Sequence, residues 1–241
     1  MYQNPRQADI TYLTADSPLL ANIFLHYVLD EWFAKEVQPR LKGQAFLIRY
    51  ADDFVIGVTR EEDARRILEV LPKRMSKYGL TVHPQKTRLI RFQPPEPADS
   101  EAVGTGTPAP QTFDFLGFTH YWGRSRRGDW VVKRKTAKSR LKRAFAALTE
   151  WCRQNLHLPI QEQHQKLVEK LQGHYGYYGI IGNFSRLQEF LEGARRIWRQ
   201  GLSRRNRDRP MSWPEFLRLE QCYALPRARV VHGLSRGAAK S

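Results

Sequence analysis

The chain has 241 residues, 40 Lys and Arg against 24 Asp and Glu for a net charge of +16, and only two cysteines. Its length can bury one sizeable core or two small ones, no apolar run reaches bilayer-spanning length, and Cys152 and Cys222 form no metal-spaced pair, so nothing points to a membrane-spanning helix or to zinc. The charge is uneven: residues 1–123 hold 14 basic and 15 acidic side chains, whereas residues 124–241 hold 26 basic and 9 acidic. That asymmetry points the second half at a polyanion, with a merely soluble basic surface as the plainer alternative.

Residues 1–16 show no clear period and read as a lead-in, without the basic-then-apolar order of a signal peptide. Ser17 is a good helix N-cap and Pro18 suits the first helical position. Leu19, Leu20, Ile23, Phe24, Tyr27 and Val28 then recur at helical spacing, which predicts a helix that packs this face into a core and ends before Pro39. Two short apolar runs, Ala45 to Arg49 and Phe54 to Thr59, flank Tyr50-Ala51-Asp52-Asp53, the pattern of a β-hairpin. A helix follows from Glu61 through Ala64, Ile67, Leu68, Leu71, Met75 and Tyr78; Pro72 should bend or restart it, and Gly79 is placed to end it. Thr87 to Phe92 is a further strand candidate.

Residues 93–111, opening on Gln93-Pro94-Pro95-Glu96-Pro97, are rich in Pro, Gly, Ala and Thr with little to bury, and read as a linker or a surface loop. Phe113 to Tyr121 is strand-like, and a turn at Gly128-Asp129 with a strand from Trp130 to Lys133 completes a second hairpin. Beyond Thr136 the pattern is all helix: Leu141, Phe145, Leu148 and Cys152 mark one face, a second helix covers residues 160–178, a third 183–202, and a short fourth starts at Ser212. The expected fold class is α+β, mixed over residues 17–123 and a helical bundle over residues 124–241.

Asp52 and Asp53 carry the sharpest chemical signal. Adjacent carboxylates at a hairpin junction repel each other unless a cation neutralises them. Mg²⁺ binds through one or two carboxylates plus substrate phosphates, and two such ions can clamp the attacking and leaving oxygens of a phosphoryl transfer. Asp is also a favoured turn residue, so an ordinary acidic turn is the alternative for the pair taken by itself. In the basic half, ten of the twenty residues from Arg124 to Arg143 are Lys or Arg. Arg124, Arg126, Arg127, Lys133, Arg134, Lys135, Lys138, Arg140, Lys142 and Arg143 would track a phosphate backbone along hairpin and helix, and Arg204, Arg205, Arg207 and Arg209 form a second basic cluster. Trp130, Trp151, Tyr175, Tyr177 and Tyr178 are either stacking surfaces for bases or core. Gly173, Gly176, Gly179 and Gly182, at every third residue, suggest close approach of another backbone.

Four motifs stand in order: Ser17-Pro18-Leu19-Leu20-Ala21-Asn22-Ile23-Phe24, Tyr50-Ala51-Asp52-Asp53, His83-Pro84-Gln85-Lys86-Thr87 and Phe113-Asp114-Phe115-Leu116-Gly117-Phe118. Together they resemble the palm of group II intron-encoded reverse transcriptases. Gly173-His174-Tyr175-Gly176-Tyr177-Tyr178-Gly179, Pro210-Met211-Ser212-Trp213 and Leu225-Pro226-Arg227 resemble the thumb, or maturase, region of the same family. The resemblance implies that Asp52 and Asp53 hold two Mg²⁺ ions, Asp52 as the shared ligand and Asp53 as the weaker one. It places Lys86 near the triphosphate, where it would neutralise or protonate leaving pyrophosphate, against the alternative of a solvated loop lysine. Ser17, Pro18 and Asn22 would support template and incoming nucleotide, and Tyr50 and Ala51 would line the primer end. Phe115, Leu116 and Gly117 would form the primer-grip hairpin, although phenylalanines in a strand also serve as plain core. The implied partners are RNA, as intron and as template, primer DNA and deoxynucleoside triphosphates, in a bacterial-type cytoplasm and with no membrane.

Polymerases of this family also use an Asp from a strand upstream of the Tyr-Ala-Asp-Asp turn and a fingers region, and this sequence shows neither. Tyr12-Leu13-Thr14-Ala15-Asp16 stands where the family has a Gly- and Gln-bearing stretch, and Asp9 or Asp16 would be the local substitutes for the missing carboxylate. The expectation is therefore a partial polymerase palm over residues 17–123 followed by a basic thumb or maturase bundle over 124–241. The parent activity would be RNA-directed DNA polymerisation coupled to intron splicing. This chain in isolation is expected to bind RNA without polymerising unless a second chain supplies the fingers and the missing Asp. A non-catalytic maturase-type splicing cofactor or a decayed fragment is the alternative.

Overall fold

A computed structural model of the chain describes residues 13–95, 111–205 and 210–233, with side chains from Pro18 onward. The described chain divides into two compact units, Met1–Phe92 and Gln93–Ser241.

The first unit opens with helix α1 (Leu13–Leu25), which runs on through two π-helical stretches, His26–Glu31 and Phe33–Val37, and a 3₁₀ turn, Gln38–Arg40. The lead-in thus becomes helical by Leu13, and Pro18 lies inside the helix instead of at its first position. One missing N–H does not end a helix whose continuation is held by packing. The apolar face expected to enter a core stays outside: Leu19, Leu20, Ile23, Phe24 and Tyr27 are all exposed. The core is built instead from the next turns, Val28, Leu29, Trp32, Phe33 and Val37, against Ile67, Leu71 and Met75. The wide π-helical turns alter the 3.6-residue phase at this point, so the stripe upstream and the buried residues downstream do not share one face.

Strands β1 (Ala45–Tyr50) and β2 (Asp53–Val58) pair antiparallel, with Tyr50 opposite Asp53 and Ala45 opposite Val58. Leu47, Phe54, Ile56 and Val58 pack toward the helices. Phe46, Ile48 and Tyr50 point the other way and remain exposed at 57%, 51% and 67%, an uncovered sheet face. Helix α2 (Glu61–Ser76) runs unbroken past Pro72. Pro72 is exposed, as is Leu68 one turn before it, so the carbonyl left without its donor faces water. A two-bond closure ends the helix at Gly79, whose N–H donates to the Ser76 carbonyl while the Leu80 N–H donates to that of Met75. Thr87–Phe92, the further strand candidate, is not assigned to a strand.

In the second unit, β3 (Phe113–Phe115), β4 (Phe118–Arg124) and β5 (Trp130–Thr136) form an antiparallel sheet in that order. Helices α3 (Lys138–Gln154), α4 (Ile160–Tyr178), α5 (Phe184–Ser203) and α6 (Trp213–Cys222) follow, close to the ranges that periodicity predicts. Ser212 caps α6 reciprocally with Glu215, a capping box. The core gathers Leu141, Leu148, Leu167, Leu171, Tyr175, Leu187, Phe190, Ala194, Trp198 and Phe216. Two of its buried polar side chains pair within it: Trp198 Nε1 donates to Gln163 Oε1 at 3.1 Å, and Gln163 Nε2 to the Asn155 carbonyl at 2.7 Å.

Among the described residues, no helix is long and apolar enough to cross a membrane.

Candidate metal-binding turn and basic surface

The β1–β2 connection has only two residues, Ala51 and Asp52, and Ala51 is held at φ 53°. That left-handed conformation lets so short a loop follow the twist of its strands, and it costs a non-glycine residue about 1 kcal/mol or more. Ala51, Asp52 and Asp53 are all exposed, and Tyr50 presents its ring beside them. Among the described residues neither aspartate accepts a hydrogen bond or an ion pair, so both carboxylates are free for an external cation. No group of three or more His, Cys, Asp or Glu side chains gathers around them among the described residues. The pair therefore fits a hard cation that completes its shell with water and phosphate oxygens.

Beneath the turn lies a network that reading along the chain did not reveal. Arg49 donates Nε to Asp30 Oδ1 at 2.7 Å and Nη2 to Asp30 Oδ2 at 2.6 Å, a bidentate fork. Its Nη1 donates to Asn22 Oδ1 at 2.8 Å and to the Ala51 carbonyl at 2.9 Å. Hydrogen bonding from Arg49 holds the Asp30 carboxyl below its usual range. Asn22 Nδ2 in turn donates to the Pro18 carbonyl at 3.0 Å. The Asn22 amide thus makes one hydrogen bond within the protein from each of its polar atoms. The sequence held one hint, an arginine in an inward position of an otherwise apolar strand, but not its partner.

Lys86 is exposed in a turn closed by the Lys86 and Thr87 N–H groups on the His83 carbonyl. Among the described residues it bonds to neither aspartate. Pro18 is exposed on α1. The carboxylates of Asp9 and Asp16, the Ser17 hydroxyl, and Arg207 and Arg209 lie outside the described residues and side chains.

In the second unit, Phe115 and Phe118 pair across the two-residue turn Leu116-Gly117, both of whose φ angles are positive, 50° and 79°. The turn is pinned from below: Tyr177 Oη donates to the Leu116 carbonyl at 3.0 Å, and Phe118 packs on both Tyr177 and Tyr178. Asn183, fully buried, binds the end of β5 to the end of α4, accepting from the Thr136 N–H and donating to Thr136 Oγ1 and the Tyr178 carbonyl, each at 2.8 Å.

The basic residues divide by what they touch. Arg126, Arg127, Arg134, Lys138, Arg140, Lys142, Arg143 and Arg204 are exposed. Arg124 caps its own hairpin, donating to the Gly128 carbonyl with its guanidinium 4.1 Å from the Trp130 ring centre. Lys133 lies along Gly123, Lys135 Nζ sits 4.7 Å from the Tyr121 ring centre, and Arg205 donates to the Leu158 carbonyl. Of the candidate stacking aromatics, Tyr175 is buried and donates to the Pro226 carbonyl, so it is core, whereas Tyr177 stays exposed. The glycine spacing also resolves. Gly173 and Gly176 face open space, and only at Gly179 does another backbone approach, where Val231 and His232 donate to its carbonyl at 2.7 and 2.8 Å.

A comparison with curated proteins returned no match. Residues 14–120, which contain the Tyr-Ala-Asp-Asp turn, match the family model for reverse transcriptase (RNA-dependent DNA polymerase).

Proposed function

We propose that the chain is of the group II intron type, joining a metal-binding polymerase turn to a basic RNA-binding region with a role in splicing. The observation that carries this reading is the display of Asp52 and Asp53, exposed and unpaired on a two-residue hairpin turn, inside the segment with reverse transcriptase character. The two carboxylates would take Mg²⁺, which supplies charge neutralisation at the transferring phosphoryl group. Tyr50 and Ala51 would line the primer end, Lys86 would face the triphosphate, and the Phe115–Gly117 turn would grip the primer strand. Template RNA and intron RNA would lie against Arg126, Arg127, Arg134, Lys138, Arg140, Lys142 and Arg143.

A second reading, an RNA-binding splicing cofactor that does not polymerise, is favoured by the concentration of positive charge in residues 124–241. Primer extension on an RNA template with Mg²⁺ and triphosphates, run alongside RNA binding at several salt concentrations, separates the two. Extension that Asp52→Ala abolishes supports the polymerase. Salt-sensitive RNA binding unchanged by Asp52→Ala, without extension, supports the cofactor. Neither extension nor salt-sensitive binding would sink both.

A further inference from the structure

We propose that Arg49 is a positioning residue for the metal-bearing turn, fixing the Ala51 carbonyl and with it the placement of the Asp52 and Asp53 carboxylates; this rests on the reading of those aspartates as cation ligands. A guanidinium that served only as an ion-pair partner would need Asp30 alone. Here the same group makes four hydrogen bonds, and the one at 2.9 Å goes to the carbonyl of the residue whose φ is 53°, directly before Asp52. Left-handed backbone at a non-glycine residue persists only where its surroundings over-determine it, and among the described residues this hydrogen bond is the one a side chain makes to the Ala51 carbonyl.

The second half of the device is Asp30. An arginine three and four residues before two carboxylates is a competing internal cation. By taking two of its N–H groups in a bidentate fork, Asp30 satisfies the Arg49 charge and leaves Asp52 and Asp53 unpaired. Asn22 completes the clamp from α1, with its amide oriented by the Pro18 carbonyl so that the oxygen faces Arg49. The side chains of Arg49 and Asp30 are 13% and 29% exposed, so the fork is well shielded from water and salt. Lysine cannot replace the guanidinium, because an ammonium has no rigid fork with which to hold Asp30 and the carbonyl together.

The test is Tb³⁺ binding to the full chain, read by luminescence sensitised through Tyr50, with lifetimes in H₂O and D₂O counting the waters left on the ion. Thermal melts of each variant serve as fold controls. For the wild type, saturable binding that Asp52→Ala removes is expected. In Arg49→Lys, affinity should fall by about 10-fold or more, the usual cost of losing an outer-shell partner, and the ion should keep more water. Asn22→Ala, which leaves the Arg49–Asp30 pair whole, should shift both readings the same way by less. Wild-type affinity and wild-type hydration in Arg49→Lys and Asn22→Ala, with Asp52→Ala still abolishing binding, would overturn the positioning role while sparing the metal site. Binding indifferent to Asp52→Ala would overturn the metal site and the positioning role together.

Discussion

Tyr177 donates its hydroxyl to the Leu116 carbonyl at 3.0 Å, tying the last turn of α4 to the tightest turn of the β3–β4 hairpin across 61 residues of sequence. Next to that bond, a Cβ added to Gly117 would lie 3.1 Å from Tyr178 Oη, and Gly117 itself sits at φ 79°. Tyr177→Phe should therefore cost about 1 kcal/mol, a single partly solvated hydrogen bond. Gly117→Ala should cost roughly 1–3 kcal/mol, from backbone conformation and crowding together. Urea unfolding of both variants would check the order; a larger loss in Tyr177→Phe would contradict it.

Asn183 carries a heavier load. Its removal strands the Thr136 N–H in the interior and takes one of two donors from the Tyr178 carbonyl, which still accepts from the Ile180 N–H, so Asn183→Ala should destabilise by about 2 kcal/mol. Asn183→Asp keeps the acceptor but loses the donor and buries a charge, and should be no better. Equilibrium denaturation within about 0.5 kcal/mol of wild type for both would refute the buried linkage.

His174 predicts a pH dependence. Its ring stacks on Phe190 with centroids 3.8 Å apart, its Nε2 is buried without a partner, and burial pushes its pKa from 6.5 down to about 4. Between pH 6.5 and 4 the unfolded chain binds a proton that the folded chain excludes, so this residue's contribution falls as pH falls through that window and levels off below it. The expected loss is roughly 2 kcal/mol after allowing for partial exposure. Comparing wild type with His174→Phe at pH 7 and pH 5 isolates it, and equal pH dependence in the two proteins would rule it out.

Ala51→Gly should stabilise the first unit by about 1 kcal/mol, because glycine occupies positive φ without a steric cost. If the turn is held rigid for cation binding, the same substitution should weaken the site while raising the melting temperature. A fall in melting temperature would mean that Ala51 is not strained.

The uncovered apolar surface of the first unit gives a solubility prediction. Ile23, Phe46 and Ile48 are 48%, 57% and 51% exposed. Ile23→Lys and Ile48→Lys should reduce self-association in light scattering while changing unfolding free energy by only about 0.5 kcal/mol each. Strong destabilisation would show that these side chains are covered in solution.

The sequence by itself determined the parts governed by local chemistry. Alternating apolar runs around a polar junction produce the β1–β2 hairpin and put Asp52 and Asp53 at its end. Helical periodicity bounded by Ser212, or by the break after Tyr178, sets α3 through α6, since caps and breaks act within a turn of themselves. Tertiary structure decided the rest. Whether the stripe from Leu19 to Tyr27 would be buried depended on what covers it, and the π-helical turns that move the core downstream have no periodic signature. Arg49 finds Asp30 and Asn22 at 19 and 27 residues' separation, and Asn183 finds Thr136 at 47. Polar groups such as these choose partners by position in space, because a buried donor or acceptor must be paired by whatever the fold brings within about 3 Å, and no local pattern encodes that choice.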